Sequence, residues 1–446
     1  MRLLAPVLAS LTFLCASAGA APGGLPVRDD VWTQEQLEAV TLRIQADVEK
    51  LRGASFLRPV QVRITDHAGF LEHIQSRVEE LIPDGMIERD QSMARMLALV
   101  PHDMDVWAES LALLREAVGG FYDPGADTFY LMESFTGKVA EIILSHELTH
   151  ALDDQLFGID GPLAERVQSA DASAAFSAVV EGSGTALMGL WTMQHIGQLT
   201  PEDLADAGDM GADAMAKAPP YLWKPMLATY LQGQRFLNRG YRVFRREGKT
   251  FLDVVAHAFG APPLSTEQVL HPEKYWESEH LDLPRVLVHR IDALPSGWDP
   301  MGSTVLGELL LALVVADESE RAPLDLTDPM AVASMSFTNA AASGWDGDEA
   351  LLLGRGDARV LHVATLWDDA AEASAFRAAL ESRRSAIESS LAALDPNSAG
   401  AGLRLAAPAP DAVSFTLFHG VPAADLGALL ATLTVTEPAP ESDAGR

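Results

Sequence analysis

Between Lys138 and Phe157 the chain has no Gly or Pro, carries apolar side chains at Val139, Ile142, Ile143, Leu148, Leu152 and Leu156, and meets its first glycine at Gly158. That text predicts a buried helix with a glycine stop. Three chemically active residues lie in its middle. His146 and His150 are four apart, so they share one helical face and can present two imidazoles to one ion, with Glu147 beside them. This is the spacing of metal-assisted hydrolysis, in which a cation lowers the pKa of water and Glu147, as general base, takes its proton. A cation that keeps a position open for water needs three protein ligands, so a second element must reach this helix.

The choice of that third ligand is narrow. The only cysteine, Cys15, falls in residues 1–20, where Arg2, an apolar middle (Leu3 to Leu14) and Ala18-Gly19-Ala20 have the layout of a secretory signal peptide. Thr12-Phe13-Leu14 before Cys15 lacks the small residue of a lipoprotein cleavage site. The expected mature protein is therefore secreted, periplasmic or extracellular, without thiol or disulfide, and any zinc site must use His, Asp and Glu. A glycine at 153 with a histidine at 156 would mark one class of extended motif, but Asp153 and Leu156 stand there. Glu181 is the candidate third ligand. It sits among Ala, Val, Gly and Ser in a stretch that predicts helix from 172 to 195, with no cation near in sequence, and a buried carboxylate needs one. Asp154, one turn beyond His150, is the candidate to orient a ligand histidine, or to be the third ligand itself. Asp153 is expected to face solvent.

Periodicity and punctuation predict an α+β chain with a helical majority. Helix is expected over 33–51, a strand over 59–64, helix over 67–81 and mostly helix to 118, turn chemistry over 119–125, and a strand over 128–132. After the 138–157 and 172–195 helices, Thr200-Pro201-Glu202-Asp203 has the form of a helix start. Further helix is expected to a break at 260–266, and again over 302–316. Beyond residue 320 the pattern is strand 359–367, helix 370–394, strand 413–418 and helix 423–433. The divisions are a signal peptide at 1–20, an N-terminal helical region with a short strand at 21–110, a catalytic core at 111–320, a C-terminal α+β segment at 321–436 and a disordered tail at 437–446. Whether 21–110 is an inhibitory pro-segment is left open by the sequence, as is oligomeric state.

The formal charge of −31 speaks against a phosphate backbone as partner. The longest apolar run after residue 20, Val305 to Ala316, is too short to span a membrane and carries Glu308.

His146-Glu147-Leu148-Thr149-His150-Ala151-Leu152-Asp153-Asp154 followed by Glu181 resembles the gluzincin peptidases, the thermolysin-like clan in which a downstream helix supplies a glutamate ligand. A closer likeness spans most of residues 110–380. Gly120-Phe121-Tyr122-Asp123-Pro124, the motif helix, Ser265-Thr266-Glu267-Gln268-Val269-Leu270-His271-Pro272-Glu273-Lys274-Tyr275, Gly344-Trp345-Asp346-Gly347-Asp348 and Trp367-Asp368 resemble a family of bacterial secreted predicted metallopeptidases, mostly uncharacterised. The resemblance implies a zincin-like core with a small sheet, zinc as cofactor, and a peptide or protein as substrate. It also implies a Tyr or His that stabilises the oxyanion, for which His271 and Tyr275 are the candidates, ahead of Tyr122 and Tyr130. The 128–132 strand would be the sheet edge along which a peptide lies. Those relatives carry Glu-Gly-Asp-Ala where this chain has Glu181-Gly182-Ser183-Gly184, so an aspartate that would support a ligand is missing here. Two other readings stay open: a non-catalytic, zinc-stabilised binding protein, and a zinc hydrolase of another amide or ester. His and carboxylate ligands also accept manganese, cobalt or nickel.

Overall fold

Helix initiation follows local chemistry at the start of the structure, a computed structural model that describes residues 31–201, 203, 211–322, 324–395 and 400–438. Thr33 and Gln36 form a capping box that opens α1 (Gln34–Arg52), and Gly53 closes it at φ +76°. The expected signal peptide, the remainder of the helix starting at Pro201, and residues 439–446 of the tail lie outside the described residues. Glu437, the tail's first residue, is held by the Arg285 guanidinium at 2.6 and 2.9 Å.

Strand β1 (Gln61–Thr65) leads through α2 (His67–Leu81), α3 (Met86–Met96) and α4 (Val106–Ala117) into β2 (Gly120–Asp123) and β3 (Thr128–Met132). These strands form one sheet in the order β1-β3-β2, with β1 parallel and β2 antiparallel to β3. The 128–132 strand is therefore the centre of its sheet and not the edge expected for a peptide. Both its backbone edges are already paired. Gly120 to Asp123, expected as turn, is strand because Phe121 and Tyr122 are buried, and a side chain at Gly120 would sit 2.9 Å from the Phe129 ring.

The motif helix α5 (Gly137–Phe157) is buried along most of its length and stops at Gly158. After the short α6 (Asp160–Arg166) comes α7 (Ala170–His195), which packs against α1, α5 and, most extensively, α9 (Pro220–Phe244). The short α8 (Ala212–Lys217) precedes α9; α10 (Phe251–Gly260), α11 (Thr266–Leu270) and α12 (Glu273–Trp276) follow it. The fold is thus mixed α+β with a helical majority.

The C-terminal part is a five-stranded antiparallel sheet in the order β5-β6-β7-β9-β8. Its strands are β5 (Asp299–Thr304), β6 (Trp345–Arg355), β7 (Ala358–Trp367), β8 (Ala401–Ala409) and β9 (Ala412–His419). Between β5 and β6 run α13 (Gly307–Val315) and α14 (Pro329–Ala333); α15 (Ala370–Ser382) and α16 (Arg384–Leu394) follow β7. A separate pair joins β4 (Val288–Ile291) to β10 (Leu433–Thr436), with α17 (Ala423–Leu430) ahead of β10. Since β5 precedes residue 320, the sheet begins inside the segment assigned to the core, and one apolar cluster runs from Leu37 to Leu417.

Buried polar groups make the joint between sheet and helices. The Asp348 carboxylate accepts from Leu306 N, Gly307 N and Trp345 Nε1 at 2.7 to 3.0 Å, which anchors the start of α13 to β6. Asp171 on α7 accepts from Thr266 N at 2.9 Å and from the Thr266 hydroxyl. Gly307 has φ +74°, and a Cβ there would lie 1.8 Å from the Asp171 carboxylate. Burial pushes the Asp171 carboxyl up to about 7, with Asp348 and Glu308 adding to the shift and the Thr266 bonds opposing it. Its folded pKa exceeds the unfolded one, so its contribution to stability is full below about pH 4 and is lost as pH rises to about 7. Asp171→Asn keeps an oxygen for Thr266 and cannot ionise. It is expected to be more stable than the wild type at pH 8 by on the order of 3 kcal/mol, with no gain at pH 4, in urea unfolding at both pH values.

Candidate metal centre

Four-residue spacing on α5 brings His146 Nε2 to 2.8 Å from His150 Nε2. From α7, Glu181 Oε2 lies 3.1 Å from His146 Nε2 and 3.5 Å from His150 Nε2. Among the described residues, the three form one of the His and carboxylate groups whose donor atoms all fall within 4.8 Å of one another, and it is the one buried at all three members. In a tetrahedral site with zinc bonds of about 2.0–2.1 Å, neighbouring donor atoms are about 3.3 Å apart, close to the sides of this triangle. The donor chemistry fits as well. Burial pushes both imidazoles down to about 4, with each histidine's neighbours modulating the effect, so at neutral pH both rings are neutral and carry a lone pair. Glu181 is 1% exposed; burial raises its pKa, and hydrogen bonds from His146 and Tyr230 hold it down. A buried carboxylate beside two neutral imidazoles has no full countercharge, which a divalent cation supplies.

Glycine keeps this space open. A Cβ on Gly184 would lie 2.7 Å from His146 Cε1, 2.8 Å from its Nε2 and 2.9 Å from His150 Cε1. Glu147, next to His146, is fully buried. On the other side Tyr230 of α9 lays its ring along His146, centroids 5.8 Å apart at 23°, and its hydroxyl bonds to Glu181. Tyr230 was not among the sequence candidates. The signal available was Gly182 beside Glu181 and Gly233 one turn after Tyr230, paired glycines that mark a close helix crossing.

Around this triangle the structure departs from expectation at several positions. Asp153, expected in solvent, has no exposure. Its Oδ2 accepts from Arg52 Nη2 at 2.8 Å and from the Ser183 hydroxyl. The partner that buries it, Arg52, is itself 5% exposed and comes from the end of α1. Ser183 thus joins a carboxylate already held in place. Asp154 accepts instead from Tyr122 Oη at 3.0 Å and from Ile159 N at 2.9 Å, so it ties the end of α5 to β2; no hydrogen bond joins it to His146 or His150. The same hydroxyl lies 2.7 Å from Asp127 Oδ1, so its one proton is shared between the two carboxylates.

The two oxyanion candidates are engaged elsewhere. His271 Nε2 pairs with the buried Glu308 at 3.0 Å, and that bond raises the imidazole's pKa. Tyr275 donates to Ala261 O and packs with Phe236, His257 and Trp276. None of these contacts reaches the histidine pair. Tyr130, the other rival, stacks on Phe121. A second acidic group, Glu267, Asp282 and Asp368, already encloses a cation, since Lys274 Nζ lies 2.6, 2.7 and 2.9 Å from the three carboxylates.

Among known proteins, a model for a domain of unknown function, DUF8575, matches residues 296–415, the span from β5 into β9. No curated protein and no solved structure matches the chain.

Proposed function

We propose that the protein is a zinc-dependent hydrolase of peptide bonds, secreted after loss of residues 1–20, with His146, His150 and Glu181 as ligands and Glu147 as general base. The convergence of two neutral imidazoles and one carboxylate in a buried triangle carries this reading. When bound there, zinc supplies a Lewis acid and lowers the pKa of water. Glu147 would take the proton of the attacking water and return it to the leaving amine, as a carboxylate so placed can act in both directions. Tyr230, whose single hydroxyl proton goes to Glu181, would orient that carboxylate toward the metal.

One observation favours a second reading, in which the metal stabilises the fold and the chain acts by binding. His146, Glu147 and His150 have no exposure, so a substrate enters only when a covering element moves. Metal analysis with cleavage of a peptide library and of simple amides and esters separates these readings. The wild type is expected to hold about one zinc per chain and to cleave peptides, and Glu181→Ala to lose most of the metal, since a site of two histidines alone lacks the third ligand a catalytic site uses. A wild type that keeps zinc and cleaves nothing supports the binding role. Full zinc content in Glu181→Ala would remove Glu181 from the site.

A further inference from the structure

Resting on His146, His150 and Glu181 as metal ligands, we propose that Arg52, Asp153 and Ser183 form a positioning layer that fixes His150, which makes the N-terminal helix α1 part of the metal centre. Asp153 follows His150 by three residues on α5, so the two side chains share a face of the helix. Its Oδ2 is taken by Arg52 and Ser183, whereas its buried Oδ1 has no hydrogen-bond partner. The same is true of His150 Nδ1. An unmatched donor and an unmatched acceptor, both buried and one turn apart, each carry a desolvation cost that a bond between them removes. A neutral imidazole whose Nε2 faces a cation carries its proton on Nδ1, and a carboxylate that accepts this proton fixes the tautomer and the ring plane. Arg52 balances the charge of that carboxylate and also reaches Ser183 Oγ at 2.6 Å, so α1, α5 and α7 meet at one point.

The linkage is reciprocal: docking of α1 favours metal binding, and bound metal favours docking of α1. Residues 34–52 then complete the site, which is the opposite of what an inhibitory pro-segment does.

The test measures zinc affinity by competition with a chromophoric chelator, and the absorption bands of the cobalt-substituted protein, on the full chain. Arg52→Met/Asp153→Leu removes both charges together, which spares the fold a lone buried ion. It is expected to weaken zinc binding roughly 10- to 100-fold and to alter the cobalt bands, while the metal-free melting temperature stays near that of the wild type. Asp153→Asn, close to isosteric, is expected to weaken binding in the same direction and serves if the double variant does not fold. Arg52→Lys keeps the charge and is expected to restore affinity to within a few-fold of the wild type. Zinc affinity and cobalt bands unchanged in both Asp153 variants would overturn the positioning role and leave the ligand assignment standing. A wild type that takes up neither zinc nor cobalt would overturn both.

Discussion

Glu147→Gln is expected to retain the metal content and melting temperature of the wild type and to lower peptide cleavage by roughly 10²- to 10⁴-fold, the usual worth of a positioned general base. The substitution is close to isosteric, and Glu147 is fully buried beside His146 without belonging to the donor triangle, so neither packing nor ligation has reason to change. What the amide cannot do is accept a proton from the attacking water. The burial of the centre sets how the loss must be read. If opening of a covering element limits turnover, steady-state kcat understates the chemical defect, and single-turnover rates show it in full. Equal rates in wild type and Glu147→Gln, on peptides, amides and esters alike, would remove the hydrolase reading and bring the binding role forward.

Elements that carry their own start and stop signals were legible from sequence. Thr33 with Gln36 and Gly53 bracket α1; the apolar spacing of 138–157 with Gly158 brackets α5. Strands of the C-terminal sheet were harder, for a physical reason. Helices and loops cover both faces of β6, so its residues show no period-two alternation, and Trp345 to Arg355 carries no strand signal of its own. β5 contains Pro300 and Gly302, and the helical pattern of 302–316 overlaps its end. The expected 370–394 helix is two helices that meet at Arg383, and residues 433–436 leave the expected 423–433 helix to pair with β4.

The site divides in the same way. His146, Glu147 and His150 are set by spacing within one helix, and Glu181 by its isolation among small residues. Asp153 was misplaced because the arginine that buries it is 101 residues away, and Tyr230 was missed because only the crossing of α7 and α9 brings it to His146. Distances along the chain carry no trace of such crossings, except where glycine marks them.

That mark makes Gly233→Ala the second large effect expected. A Cβ at Gly233 would lie 2.0 Å from the Ala178 carbonyl oxygen, and one at Gly182 would lie 2.2 Å from the Gly233 carbonyl carbon. Both obstacles are backbone, which no rotamer change relieves, so the helices must separate along their most extensive contact. Overpacking of a core commonly costs about 1–3 kcal/mol, and a clash with helix backbone belongs at the upper end or beyond. Higher intrinsic helix propensity of alanine returns only about 1 kcal/mol. The consequence reaches the proposed metal site because Glu181 precedes Gly182 directly and Tyr230 lies one turn before Gly233, on opposite sides of the crossing. Separation would pull the Tyr230 hydroxyl from Glu181 and Glu181 from the histidines. Gly233→Ala is therefore expected to lower both the thermal midpoint and zinc affinity, while Gly197→Ala, where an added Cβ meets nothing within 4 Å, changes neither. Calorimetry and zinc competition on the two variants check this. A Gly233→Ala protein with wild-type stability and wild-type zinc affinity would mean that the crossing does not set the spacing of the ligands.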